Sequence, residues 1–338
     1  MNLDPSIRLI LARYAVEQQS ARIEPLGMAG GLSGAHFWRV SFPERSLVLR
    51  RWPAEHPTAD RLRWIHAMLR HAYERNITIL AVPLTTRSGQ TFVEHNGHFW
   101  ELAPWLPGEA DYHRTPRDEK LRAAMRALAT FHHAVADFTC EGAMPGPTAV
   151  ERRLSRLHQL TRHEMDALTS AVDDATWPEL APLAREFVAM LPSAAARARA
   201  LLEPFAGVEL PSQPCIRDVW HDHILFTGDE VTGMIDFGAA DIDTPAIDVS
   251  RLLGSLVGDD RDRWNTGLTA YESVRPLSTQ ERKVLPALDA SGTVIALCNW
   301  VRWIYIERRQ FENREHIVAR FARLLHRARI LVARHSVP

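Results

Sequence analysis

The chain has 338 residues, 46% hydrophobic and 24% charged, with a formal net charge of -1, a size and composition that fit a globular protein of two lobes and exclude a whole-molecule field that would recruit nucleic acid or an anionic membrane. Cys140, Cys215 and Cys298 are too few and too scattered for a disulfide scaffold or a zinc-type cysteine pairing, which fits a reducing, cytoplasmic setting. No apolar run approaches the roughly 20 residues that span a bilayer, and with Lys120 and Lys283 as the two lysines, any site that needs a cation must draw on arginine.

The first element predicted is a helix over about residues 5–19. Glycines and a serine follow in "GGLSGAHFWRV", and then Phe37, Arg39 and Ser41 alternate against Trp38, Val40 and Phe42 before the apolar run Leu47 to Leu49. That alternation reads as a hairpin. Leu62, Ile65, Leu69 and Tyr73 recur at helical spacing behind Thr58, a candidate N-cap. "LAVPLTTRSGQTFVEHNGHFWELAPWLPG" reads as three strands separated by Ser-Gly and Asn-Gly turns, closing on a Pro/Gly-rich connector, so a boundary is expected near residues 104–110. Beyond it, "RDEKLRAAMRALATFHHAVADF" is helical, "GAMPGP" is a break, and residues 148–207 are helical with Pro178, Pro182 and Pro192 predicted to cut them. Short strands are expected at 215–216, 224–226 and 231–235, and helices over most of the remainder.

The chemistry concentrates in "CIRDVWHDHILFTGDEVTGMIDFGAAD", residues 215–241, which sets six acidic side chains and two histidines among apolar runs. Strands joined by a tight turn bring the chain back on itself, so Asp236 returns beside the loop that carries Asp218 and His223. A metal-free carboxylate can accept a hydroxyl proton, while a second carboxylate with a neighbouring ligand holds Mg2+ against phosphate oxygens; this division of labour is that of phosphoryl transfer. The same stretch also admits a zinc hydrolase reading, with His221 and His223 on one side of a strand as ligands and Asp222 orienting one of them.

The order of these parts resembles the aminoglycoside phosphotransferase and choline kinase family, small-molecule relatives of protein kinases, over roughly residues 22–310. "RDVWHDHILF" stands where the family has its catalytic Asp followed five residues on by Asn, and "GMIDFGAADIDTPAIDVSRLL" where it has its metal-binding Asp. The resemblance implies an α+β, two-lobed protein-kinase-like fold, with a small mixed nucleotide-binding lobe over residues 1–105 and a mainly helical lobe over 106–338. It implies ATP and Mg2+ as cofactors and a small hydroxylated or amino-bearing metabolite as acceptor. By carry-over Asp218 is the catalytic base, Asp236 and His223 hold the metal, and Asp248 braces the catalytic loop. Gly30, Gly31, Ser33 and Gly34 form the phosphate-approaching turn, Arg50 is the strand cation for the phosphates, and backbone groups around Glu101 to Ala103 meet adenine at the hinge. Trp105 and Trp220 are assigned to the cleft.

Departures from the pattern are Ile216 in place of a His, His223 in place of the Asn, Ala239 and Thr244 where further acids are common, and His66 where the helix after the hairpin would carry a Glu to pair with Arg50. Imidazole suits hard Mg2+ less well than an amide oxygen. These departures favour the alternative of a catalytically silent nucleotide-binding protein with a regulatory role.

Overall fold

The computed structural model describes residues 4–16, 21–27, 34–139, 146–311 and 313–333. Its first part is an antiparallel sheet built from β1 (Arg22–Gly27), β2 (His36–Ser41), β3 (Ser46–Arg51), β4 (Val93–His95) and β5 (His98–Pro104), in the order β1-β2-β3-β5-β4. One face of the sheet packs Val40, Leu49, Trp100 and Leu102 against Ile7, Ile10 and Leu11 of α1 (Ser6–Leu11). The opposite face carries Val48, Arg50, Glu101 and Ala103 into a cleft, as the period of two requires. The first helix is therefore shorter than the predicted 5–19: the chain leaves it at Ala12, and Tyr14 instead bridges Thr86. The predicted strand in "LAVPL" is also absent, because Pro83 withdraws a donor, and Leu80 makes only a single bridge, to Met234.

The helix α2 (Ala59–Glu74) starts on Thr58, whose side chain accepts from the Arg61 N–H, as the sequence pattern predicts. Its buried Trp64, Ile65, Met68 and Leu69 join the core of the second part of the molecule rather than the core behind the sheet. The remainder is mainly helical: α3 (Asp118–Ala134), α4 (Ala149–Gln159), α5 (Arg162–Ala171), α6 (Ala181–Leu202), then two short ribbons, then α7 (Ala246–Val257), α8 (Arg261–Glu272), α9 (Thr279–Val301) and α10 (Arg314–Ala333).

Two of the prolines expected to cut the 148–207 segment do not. Pro182 lies in the first turn of α6, where no N–H donor is needed, and Pro192 sits inside the helix, which survives because Phe187, Leu191, Ala194 and Ala195 are packed in the core. The continuous span Thr279–Ile306 is long and apolar enough to cross a bilayer, yet α9 packs against α4, α6, α7 and α10 as a core helix.

The two ribbons position the acidic stretch. β6 (Gln213–Cys215) pairs with β9 (Asp241–Asp243), and β7 (Ile224–Thr227) pairs with β8 (Glu230–Met234). Residues 216–223 and 235–240 are consequently two loops that leave the ribbons side by side, stitched by the Ile235 N–H donating to the His223 carbonyl at 3.0 Å.

Candidate active site

Asp248, fully buried at the start of α7, fixes the first loop: its carboxylate accepts the backbone N–H groups of Ile216 at 2.6 Å and Arg217 at 2.7 Å, and His132 Nε2 lies 3.0 Å away. His132 Nδ1 takes the Tyr271 hydroxyl at 2.7 Å. Cys215 joins His132 and Asp248 in a cluster tight enough for a metal, but that carboxylate is already filled by two N–H groups and an imidazole, and burial raises the Cys215 thiol well above its ordinary value. This is a brace. It holds Arg217 at a φ of +66°, in the left-handed region that costs a non-glycine residue roughly 1–2 kcal/mol, and so directs Asp218 outward. The Asp218 side chain is 46% exposed and forms an ion pair with Arg251 of α7.

The second loop holds Asp236 at a φ of +61°, a conformation that Asp tolerates better than most residues. Its carboxylate lies 3.4 Å from Arg50 Nη2 and 3.7 Å from His223 Nε2. Burial pushes this carboxyl up, but the charge of Arg50 and the hydrogen bonds from the Gly238 N–H and Arg50 more than offset it and leave the group below the ordinary aspartate range. His223 does come to the site. However, the Trp220 indole N–H donates to its Nε2 at 2.7 Å, and its buried Nδ1 has no hydrogen-bond partner among the described residues. Burial holds the imidazole below its usual pKa despite Asp236 and Asp218 nearby; since an indole N–H can only donate, Nε2 is the acceptor and its lone pair is committed to Trp220. The candidate metal ligand His223 therefore stands beside Asp236, with its available electron pair engaged by Trp220.

Arg50 is nearly buried and stacks on Trp52, with Cζ 3.3 Å from the ring centroid. It reaches Glu101 at 4.0 Å as well as Asp236. Glu101 also accepts from Trp52 Nε1 at 2.9 Å and from His66 Nε2 at 3.0 Å. Burial raises the Glu101 carboxyl, and the His66 hydrogen bond and charge together with Arg50 reverse that, for a net downward shift. The acid missing from α2 is thus supplied across the strands by β5, since Arg50 and Glu101 are directly opposite in the register.

The hinge assignment of Glu101 and Ala103 requires correction. The Leu102 carbonyl accepts from the Leu84 N–H at 2.7 Å, so strand alternation turns the backbone groups of Glu101 and Ala103 the other way, toward β3, where they pair with Arg50 and Val48. What these two residues offer the cleft is their side chains. Gly34 has a φ of +74° and needs to be glycine, whereas Gly30, Gly31 and Ser33 lie outside the described residues. The zinc hydrolase geometry is not formed: residues 221–223 make a 3-10 turn rather than a strand, and His221 Nδ1 bonds Ser255 Oγ at 2.6 Å. Burial lowers the His221 pKa to about 3.

A cavity of about 690 Å³ opens between the sheet and the ribbons, with Val48, Arg50 and Ala103 on one side and His223, Leu225 and Asp236 on the other. Trp105 and Trp220 both line it. A second cavity, of about 880 Å³, lies among α7, α9 and α10, and Trp220 and Arg320 line both. The sequence reading missed Arg251 and Arg320. The spacing of Arg320, Arg323 and Arg327, three and four residues apart on one face of a helix, was the available signal.

The sequence profile of the phosphotransferase enzyme family matches residues 27–285. The chain belongs to this family. Among its relatives is a homoserine kinase of Beijerinckia indica subsp. indica, 30% identical over 175 residues, or 49% of this chain and 54% of that protein. A homoserine kinase of Methylobacterium radiotolerans is 26% identical over 309 residues, covering 90% of this chain and 87% of that one. The chain thus spans about half the length of the first relative and most of the second.

As a family member it also shares its fold with solved structures. Amicoumacin kinase hAmiN, in complex with AMP-PNP, Ca2+ and Ami, superposes with a TM-score of 0.66 at 10% identity, covering 98% of this chain and 94% of that one. The microcompartment-associated aminopropanol kinase gives 0.66 at 16% identity, over 98% and 97%. The two-lobed protein-kinase-like fold expected from the sequence is the fold of this phosphotransferase.

Proposed function

We propose that this phosphotransferase moves the γ-phosphate of ATP to the hydroxyl of a small metabolite, with the nucleotide in the cleft between lobes 1–105 and 106–338 and Asp218 as the base. The observation that carries the reading is the ion pair of Asp236 with Arg50 in the cleft, with Asp218 on the adjacent loop and both carboxylates near His223. A silent protein would not need all three. The homoserine kinase relatives support a small hydroxylated acceptor.

Asp218, outward-facing and held by Arg251, accepts the proton of the acceptor hydroxyl as that oxygen attacks phosphorus. Val48 and Ala103 form one wall for the adenine, and Leu225 and Ile235 the other. Arg50 turns from Asp236 to the phosphates, where its guanidinium fork offsets their charge. Asp236 suits Mg2+: it offers a hard oxygen, is 39% exposed to the cleft, and has Arg50 as its side-chain hydrogen-bond partner. When bound there, the ion neutralises charge on the phosphate oxygens. Because the His223 lone pair is engaged by Trp220, we assign the ion to Asp236 rather than to the pair, and His223 to holding Trp220 in place.

The test is ADP release together with nucleotide titration on two variants. Asp218→Asn is expected to lose about 100-fold or more in turnover while ATP affinity stays within about twofold, since positioning and charge compensation remain. Asp236→Asn is expected to lose the Mg2+ dependence of nucleotide affinity. Full turnover in a folded Asp218→Asn protein would overturn the assignment of the base.

A further inference from the structure

The second cavity is walled by guanidinium groups that outnumber the carboxylates able to answer them. Of its acids, Asp259 and Asp289 are both held by Arg327, the first at 3.2 Å, and Asp260 caps α8 by accepting the Arg263 N–H at 3.1 Å. Arg263 itself pairs with Asp118. What remains is Arg153, Arg251, Arg320 and Arg323, and of these Arg251 is taken by Asp218 of the first loop.

Arg153 donates to the Leu288 carbonyl and, at 3.3 Å, to Ser291 Oγ. Arg320 makes no ion pair or hydrogen bond with any described residue; its Cζ lies 3.6 Å from the Trp220 ring centroid, between the two cavities. Burial, with the neighbouring charge of Arg251 next, lowers both Arg153 and Arg320 to about 10. They remain cationic near neutrality, and with Asp218 and Asp222 near Arg320 and Asp243 and Asp289 near Arg153 the wall's positive charge is offset only in part, a costly state that an anion relieves.

We propose that the second cavity is the acceptor site and that it selects a hydroxylated carboxylate, whose anionic group Arg320 and Arg153 bind while its hydroxyl extends past Trp220 to Asp218. An acceptor recognised by an ammonium finds no free carboxylate in this cavity to meet it. The inference rests on the phosphoryl-transfer reading for the direction of the hydroxyl, but the anion site itself does not depend on turnover. The polarity separates this chain from a site built for a polycationic sugar.

Calorimetric binding without nucleotide tests it. Three probes share one hydroxyalkyl chain: γ-hydroxybutyrate has a carboxylate, homoserine a carboxylate and an ammonium, and aminopropanol an ammonium alone. Gluconate against glucitol makes a larger pair. The carboxylate members are expected to bind at least about tenfold tighter than their partners. Arg320→Gln should remove that preference and Arg320→Lys restore part of it, with far-UV circular dichroism checking the fold of each variant. Equal binding of the ammonium-only or neutral members overturns the proposal, as does silence of every carboxylate up to millimolar concentration or a preference that survives Arg320→Gln. ADP release, assayed separately on the same probes, reports on phosphoryl transfer, so that either idea can fail alone.

Discussion

At position 101 a carboxylate on a strand does what the sequence reading looked for on a helix. Glu101 answers Arg50 and gathers Trp52 and His66 around it, a partnership invisible in the sequence because its members lie 35, 49 and about 51 residues away and nothing local marks the strand register. Arg50 itself was legible through the family resemblance, which places the strand cation in "SLVLRR". The Glu101 carboxyl is held below its ordinary range, so its stabilising effect is fully present above the unfolded value of about 4.3 and is lost as pH falls through the lower folded value. Glu101→Gln is expected to cost about 2 kcal/mol near neutral pH, with the difference from wild type shrinking in acid. Melting temperatures of both proteins from about pH 7 down to about pH 3 check this; a constant difference across that range would show that the ionised form is not what stabilises.

Among the elements, the β7–β8 ribbon was the most legible part, because short apolar runs bounded by turn residues specify it with little help from elsewhere, whereas β9 (Asp241–Asp243) was not predicted and β6 lies at Gln213–Cys215 rather than at 215–216. The loop contents were less so. The sequence placed Asp218 and Asp236 together, but it could not show that Trp220 takes the lone pair of His223, since that depends on the 3-10 turn at residues 221–223. Proline was misread in α6 for a related reason: local propensity disfavours Pro192, and the packing of its neighbours overrides it. The joint between α7 and the loop over residues 216–223 is the element on which the candidate site depends. Asp248→Ala would leave two backbone N–H groups and His132 without their acceptor in a fully buried place, and is expected to destabilise by about 3–5 kcal/mol, read as a lower urea midpoint. Asp248→Glu, which keeps the charge but displaces it by one methylene, should retain more stability than Asp248→Ala while losing turnover, because Asp218 would no longer be aimed.

For the whole molecule, the division into a sheet-rich and a helical part was legible from the switch in periodicity near residue 104, whereas the docking of α2 onto the second part was not, since an amphipathic helix does not say which of two cores it will join. That docking, with the ion pair between Arg50 on β3 and Asp236 on the loop after β8, makes the cleft a joint between the two parts. A ligand that binds there stabilises both. Mg2+ and ATP together are expected to raise the melting temperature with concentration, by an amount equivalent to about 2.7 kcal/mol at a hundred times the dissociation constant, and a flat titration at millimolar ATP would count against nucleotide binding. Trp220 stands where the two cavities meet, its N–H on His223 and its face under Arg320. On the proposed assignment a single indole would be the partition between a donor chamber and an acceptor chamber. On that reading, water approaching from an empty acceptor chamber would meet this ring before phosphorus, and a wall rather than a moving lid would limit hydrolysis from that side.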